Sequence, residues 1–164
     1  MSSETFTTAM FLIAAIISAG VLINAVFPVI YTLSGTISSS SHKVDERLST
    51  DVKIVTTYAS GGSNTARIWL KNIGAGRIAD ADIQKADVFL GAQGDFIRLT
   101  RATVLADGTW TYEILEDTNN NWDPGETLCI EAQTAKIPAR EEIVYFQFVL
   151  PTGLSRSTTF TAGD

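Results

Sequence analysis

Apolar side chains occupy nearly every position in the first part of the chain. The stretch from Ala9 to Leu33 reads AMFLIAAIISAGVLINAVFPVIYTL, and no formal charge lies between Glu4 and Lys43. As a helix, its roughly 25 residues would rise about 37 Å, enough to cross a hydrocarbon core of about 30 Å. The pattern predicts one long apolar helix that inserts in a membrane or in the core of a filament.

Two other interpretations of this run compete. A helix buried in a soluble domain is usually shorter and carries a polar stripe. A cleaved secretory peptide usually has a shorter apolar region, and here no Lys or Arg precedes the run. A membrane or filament helix is therefore favoured.

Gly20, Asn24 and Pro28 follow one another at a spacing of one helical turn within the apolar run. In lipid, the Asn24 amide and the carbonyl that Pro28 leaves without a donor both need partners. This face is therefore predicted to contact protein as well as lipid. The polar segment from Ser34 to Asp51 is compatible with a continuation of the helix or with a flexible Ser-rich linker.

Beyond Asp51, short runs alternate between apolar and polar residues, and turn-forming residues separate most of them. The pattern predicts a mainly β fold, with an antiparallel Ig-like or Greek-key β-sandwich of seven to nine strands over residues 51–164, after a helical segment over 1–50. The predicted strands are Val52–Tyr58, Ala66–Lys71, Ala86–Leu90, Phe96–Thr103, Trp110–Leu115, Thr127–Ala132, Glu142–Leu150 and Ser155–Thr161.

One run predicts a central strand of the core. Within it, alternate residues share one face because successive side chains in a strand point to opposite sides. The residues predicted to be buried are Val144, Phe146, Phe148 and Leu150. After the second predicted strand, Gly74 or Gly76 is expected to supply a turn with positive φ.

The composition narrows the range of functions. The net charge of −6 and the absence of a basic patch argue against a nucleic-acid partner. With one cysteine and one histidine, an intramolecular disulfide, a multi-cysteine metal site and a multi-histidine centre are excluded. Cys129 has apolar neighbours and is predicted to lie buried in a strand, whereas His42 lies in a polar segment. We therefore expect no enzyme and no catalytic residues.

One loop carries candidate chemistry. Oxygen-bearing side chains occupy alternate positions after Glu116 and could converge on a hard cation, for which calcium is the natural candidate. The competing interpretation is an Asx-rich turn between two strands, because Asn and Asp bond readily to their own backbone. The loop resembles the calcium loops of many cell-surface β-domains but is shorter. The predicted ligands are Asp117, Asn119, Asn121, Asp123 and Glu126.

Three stretches carry a family resemblance: TDVKIV from residue 50, RIWLKNIGAGRI from residue 67, and YFQFVLPTG from residue 145. Together with the type IV pilin-like apolar helix, they resemble the archaeal flagellin-like (archaellum) family. Within it, the chain is most similar to the accessory proteins of the F and G type. This resemblance implies a structural, motility-related protein that acts as a stator in the cell envelope.

The leading hypothesis is thus a single-span envelope protein with an extracytoplasmic β-domain. Its expected partners are the membrane, its own copies, and envelope (surface-layer) or archaellum proteins. No basic leader precedes Ser2 and no Asn-x-Ser/Thr sequon occurs, which favours an accessory protein over a filament subunit. The alternatives are an archaellin of an extracellular filament and a membrane-tethered domain that binds calcium or a solute.

Overall fold

A single long helix forms the N-terminal part of the protein. The computed structural model describes the backbone of residues 2–164 and the side chains of 3–36 and 49–164. Helix α1 runs over Ser2–Ser49 and contains Pro28. Its part Ser3–Thr36 is long and apolar enough to span a membrane, by length and composition. The predicted helix is confirmed, and the polar segment after Ser34 continues it to Ser49.

The chain divides into two compact units, Met1–Asp45 and Glu46–Asp164. Along the described residues, the second unit holds the end of α1, a short helix and ten strands. The strands are β1 Val52–Ser60, β2 Thr65–Asn72, β3 Ile78–Ala79, β4 Asp87–Ala92, β5 Asp95–Arg101, β6 Thr109–Leu115, β7 Asn121–Trp122, β8 Thr127–Gln133, β9 Ile143–Val149 and β10 Ser155–Thr161, with α2 at Asp80–Ile83.

Eight strands form one sheet in the order β1-β2-β8-β6-β5-β4-β9-β10. Its neighbours are antiparallel except β5 and β6, which pair in parallel through Thr100↔Thr109 and Arg101↔Trp110. This short pairing joins two antiparallel groups of four strands. The remaining strands, β3 and β7, pair with each other in a small second sheet.

The two end strands of the large sheet, β1 and β10, meet. The Arg156 Nε on β10 donates to the Val52 carbonyl on β1 at 2.7 Å. Beyond β10, the Gly163 N–H donates to the Ala59 carbonyl at 2.8 Å. These contacts bring the two ends of the sheet together, and the domain is sandwich-like.

The core lies between the two groups of strands. Its largest fully buried side chains include Trp110 and Trp122, and the Trp122 ring packs edge-on against Phe148 at 6.4 Å between centroids. The predicted inward face of the run Glu142–Leu150 is confirmed, because its four predicted core residues are at most 2% exposed. These residues are Val144, Phe146, Phe148 and Leu150.

The predicted β-sandwich is confirmed, and all eight predicted strands are present. Sequence alternation missed only β3 and β7, since two residues are too few to show a period. The expectation for Gly74 and Gly76 is wrong, because neither has a positive φ. A Cβ on Gly74 would lie 2.3 Å from the Ser49 carbonyl oxygen, so glycine is required there by close approach of two backbones.

Candidate functional site

The three residues predicted to form a packing face lie on α1, and two threonines follow them in the helix. Gly20, Asn24 and Pro28 lie at successive turns of the helix, and Thr32 and Thr36 continue the same spacing. The Thr32 hydroxyl donates to the Pro28 carbonyl at 2.8 Å, and the Thr36 hydroxyl donates to the Thr32 carbonyl at 2.8 Å. Because both hydroxyls donate to backbone carbonyls of the same helix, the free-energy cost of placing them in an apolar surrounding is lower. The packing role of this face stays a prediction.

The Asp/Asn loop, residues 116–126, is closed by hydrogen bonds among its own residues. The Asp117 Oδ1 accepts from the amides of Asn119 and Asn120 at 2.9 and 2.8 Å. The Asn119 Oδ1 accepts from the Asn121 amide at 2.9 Å, and the Asn119 Nδ2 donates to the Asp123 carboxylate at 2.7 Å. Asn120 has a φ of 57°, a left-handed conformation that Asn tolerates. This is the bonding expected of an Asx-rich turn.

At its second end, the same loop is held by Glu126. The Glu126 Oε2 accepts from the Asp123 amide at 2.8 Å, and the Glu126 carbonyl accepts from the Trp122 indole N–H at 3.0 Å. Among the residues with described positions, no group of three or more His, Cys, Asp or Glu side chains is arranged to hold a metal ion. The carboxylates instead accept bonds from the loop, and calcium binding stays a prediction.

Asn72 is a buried polar residue whose hydrogen bonds join several segments at this end of the domain. It is 0% exposed. Its Nδ2 donates to the Gly76 carbonyl at 3.0 Å and to the Trp122 carbonyl at 2.9 Å, while its Oδ1 accepts from the Gly74 amide at 3.0 Å. Its backbone N–H donates to the Glu126 carbonyl at 3.0 Å. A buried amide with all of these bonds made is a strong determinant of local structure.

The residues after Asn72 hold the chain where α1 ends. The Ile73 and Gly74 amides donate to the Asp51 carbonyl at 2.9 and 3.0 Å. The Ala75 and Gly76 amides donate to the Ser49 carbonyl at 2.8 and 3.0 Å. We call residues 49–51 and 72–76 together the junction clamp. It supplies donors to the Ser49 carbonyl at the C-terminus of α1, where the last carbonyls of a helix otherwise lack backbone donors.

Arg156 reinforces the junction clamp from β10. Its guanidinium forms an ion pair with the Asp51 carboxylate, and both side chains are less than half exposed. Together with the bond to the Val52 carbonyl, this pair fixes the start of β1 against the opposite end of the sheet.

Cys129 is buried, as its apolar neighbours predicted. Cys129 is 7% exposed and lies on β8, as predicted. Burial raises the pKa of its thiol, and the nearby Glu131 carboxylate raises it further. A thiol with a raised pKa is a poor nucleophile at neutral pH. The side chain of His42 lies outside the described side chains.

Sequence reasoning found the Asp/Asn loop and missed Asn72. The residue is part of the IWLKNIG motif, but the motif suggested only a strand followed by a turn. A buried Asn and an exposed turn Asn look alike in one sequence, and one partner of the Asn72 side chain, the Trp122 carbonyl, lies 50 residues further along. The signal available was the run of Gly74 and Gly76 directly after it.

The sequence matches the family model described as archaeal-type flagellin over residues 6–160. A protein of Archaeoglobus fulgidus, described as uncharacterized, is 25% identical over 98% of this chain and 99% of its own length. Both matches include the apolar helix and the β-domain.

Solved structures share the fold. The archaellum periplasmic stator protein FlaG from Sulfolobus acidocaldarius is 23% identical, with a TM-score of 0.56 over 68% of this chain and 99% of that chain. A FlaF and FlaG stator complex from the same organism gives 23% identity and the same TM-score, over 66% of this chain and 87% of that chain. The archaeal flagellum of Methanospirillum hungatei is 16% identical, with a TM-score of 0.70 over 97% of this chain and 93% of that chain.

Proposed function

Because the chain belongs to the archaeal-type flagellin family, we propose that it is a non-enzymatic, membrane-anchored structural component of the archaellum, of the stator type. The observation that carries the proposal is the likeness of its β-domain to FlaG, which extends over 99% of the FlaG chain. The sequence identity is also higher to FlaG, at 23%, than to the filament protein, at 16%.

In this proposal α1 is the anchor. Its apolar part, Ser3–Thr36, exceeds the length needed to cross a hydrocarbon core of about 30 Å. Large apolar side chains are exposed along it, including Phe11, Ile16 and Ile30 at 53 to 74%. Removing these side chains from water makes the inserted state strongly favourable, so that spontaneous extraction is negligible. The face of Gly20, Asn24 and Pro28 then packs against another protein helix.

The β-domain is the part that meets protein partners outside the membrane. The FlaF and FlaG complex is a precedent for pairing of such proteins with one another. We propose that the partners of this domain are its own copies, another archaellum protein or a surface-layer protein. A stator must resist torque, so both its anchor and its binding domain must be firmly held.

A second candidate is a subunit of the filament itself. The observation in its favour is the Methanospirillum hungatei flagellum, which matches both the helix and the β-domain, over 97% of the chain. In that case the apolar helices would bundle in a filament core instead of lipid. A filament subunit would be released from cells by shearing, whereas a membrane anchor would not.

The anchoring proposal is tested on membranes from cells that make the protein. We expect the full chain to stay in the pellet after alkaline carbonate washing and to be released by detergent. Protease added to cells stripped of their surface layer should digest the β-domain, whereas inside-out vesicles should protect it. Release of the chain by carbonate, or digestion from the cytoplasmic side, would contradict the proposal.

A further inference from the structure

Two groups of contacts that are distant in sequence share Asn72. On one side, its backbone bonds to the end of the Asp/Asn loop: the Asn72 N–H donates to the Glu126 carbonyl at 3.0 Å, and the Gly125 N–H donates to the Asn72 carbonyl at 2.8 Å. On the other side, its side chain holds the Gly74 amide and the Gly76 carbonyl. The loop and the junction clamp are therefore connected through one buried residue.

The connection continues into the loop through Glu126. Its carboxylate accepts from the Asp123 amide, and the Glu126 amide donates to the Asp123 carbonyl at 3.1 Å, so one short turn is closed from both ends. That turn presents the carbonyl to which Asn72 is bonded. Loosening the turn would move the backbone that positions Asn72, and the amides of the junction clamp would lose part of their support.

We propose that the Asp/Asn loop controls the rigidity of the chain at the end of α1, with Asn72 as the connecting residue. This proposal goes beyond the archaellum assignment, since it concerns a coupling inside the unit Glu46–Asp164. It means that local opening of the loop makes local opening of the junction clamp more frequent. A stator that transmits torque through its anchor needs rigidity at this point.

The loop offers two matched acidic residues for a test. Glu126→Ala removes the carboxylate that closes the turn bonded to Asn72. Asp117→Ala removes an equal charge from the other end of the loop, where the carboxylate holds only the Asn119 and Asn120 amides. Only the first variant should act on the junction clamp.

The measurement is amide hydrogen exchange by NMR, on the full chain in detergent micelles. For Glu126→Ala we expect exchange at Ile73, Gly74, Ala75 and Gly76 to accelerate about fivefold or more, as loss of one supporting hydrogen bond predicts. For Asp117→Ala we expect faster exchange at Asn119 and Asn120 and unchanged exchange in the junction clamp. The amides of β9 report global unfolding in both variants.

Three results would overturn the coupling. The first is unchanged exchange at residues 73–76 in Glu126→Ala. The second is equal acceleration of the junction clamp in both variants. The third is acceleration at residues 73–76 that merely equals that of β9, which would indicate global destabilisation. None of these results bears on membrane anchoring or archaellum assembly, so the two proposals fail separately.

Discussion

At Gly74 a missing side chain determines the local structure. A Cβ there would lie 2.3 Å from the Ser49 carbonyl oxygen and 2.5 Å from the Asp51 nitrogen, both of them backbone atoms. Backbone atoms cannot rotate away as the tip of a side chain can, so any larger residue must push position 74 away from the segment that joins α1 to β1. The same movement would break the bonds that Gly74 and its neighbours donate.

We therefore expect Gly74→Ala to lower the free energy of unfolding by about 2 to 3 kcal/mol. The change is measured by urea unfolding of the full chain in micelles, followed by the fluorescence of the three tryptophans, all of which lie in the β-domain. Gly62→Ala is the control, because its Cβ would have only the Ser60 hydroxyl nearby, at 3.9 Å, and should change stability by less than about 0.5 kcal/mol. Equal midpoints for the two variants would contradict this account of Gly74.

At the residue scale, burial was easier to predict from sequence than contact. The inward face of β9 and the buried position of Cys129 follow from local alternation and apolar neighbours, and both are confirmed. The roles of Asn72 and Gly74 depend on Trp122 and Ser49, which no local pattern connects to them. The sequence therefore indicated a turn at Gly74 and assigned it the wrong physical cause.

At the scale of elements, the Asp/Asn loop has an observed set of internal hydrogen bonds and a predicted capacity to bind calcium. Its carboxylates accept bonds from the loop's own amides, and its spacing of oxygen ligands still predicts calcium binding. Binding would require the five predicted ligands to turn toward a common centre. The loop would then exchange internal hydrogen bonds for metal coordination.

If the loop binds calcium as its spacing predicts, excess calcium added after chelation should raise the unfolding midpoint. Linkage gives about 2.7 kcal/mol at a free concentration of 100 times the dissociation constant. Asp123→Asn, which removes one predicted ligand charge, should abolish the increase. An unchanged unfolding midpoint in the unsubstituted protein would contradict calcium binding by this loop.

The elements themselves were largely predictable. Charge-free length indicated α1, and period-two alternation indicated the eight longer strands. Alternation does not specify which strands become neighbours, so the parallel pairing of β5 with β6 could not be predicted. The continuation of α1 to Ser49 was one of two interpretations, because a Ser-rich sequence suits both a helix and a linker.

At the scale of the whole molecule, the chain combines an apolar helix with a β-domain, as expected of an archaellum protein. The stator proposal and the filament alternative differ in what that helix does. In the first it is held in the membrane, and in the second it is surrounded by its own copies. The fold is common to both, so the location of the protein in the cell distinguishes them.

The most direct test is to measure how many copies of the chain are in sheared filaments and how many are in membranes. Filaments are sheared from cells and purified, and both fractions are quantified by mass spectrometry against labelled peptides of the β-domain. We expect nearly all copies in the membrane fraction and far fewer in the filaments than their main subunit. Recovery of the chain as the dominant filament subunit would contradict the stator proposal.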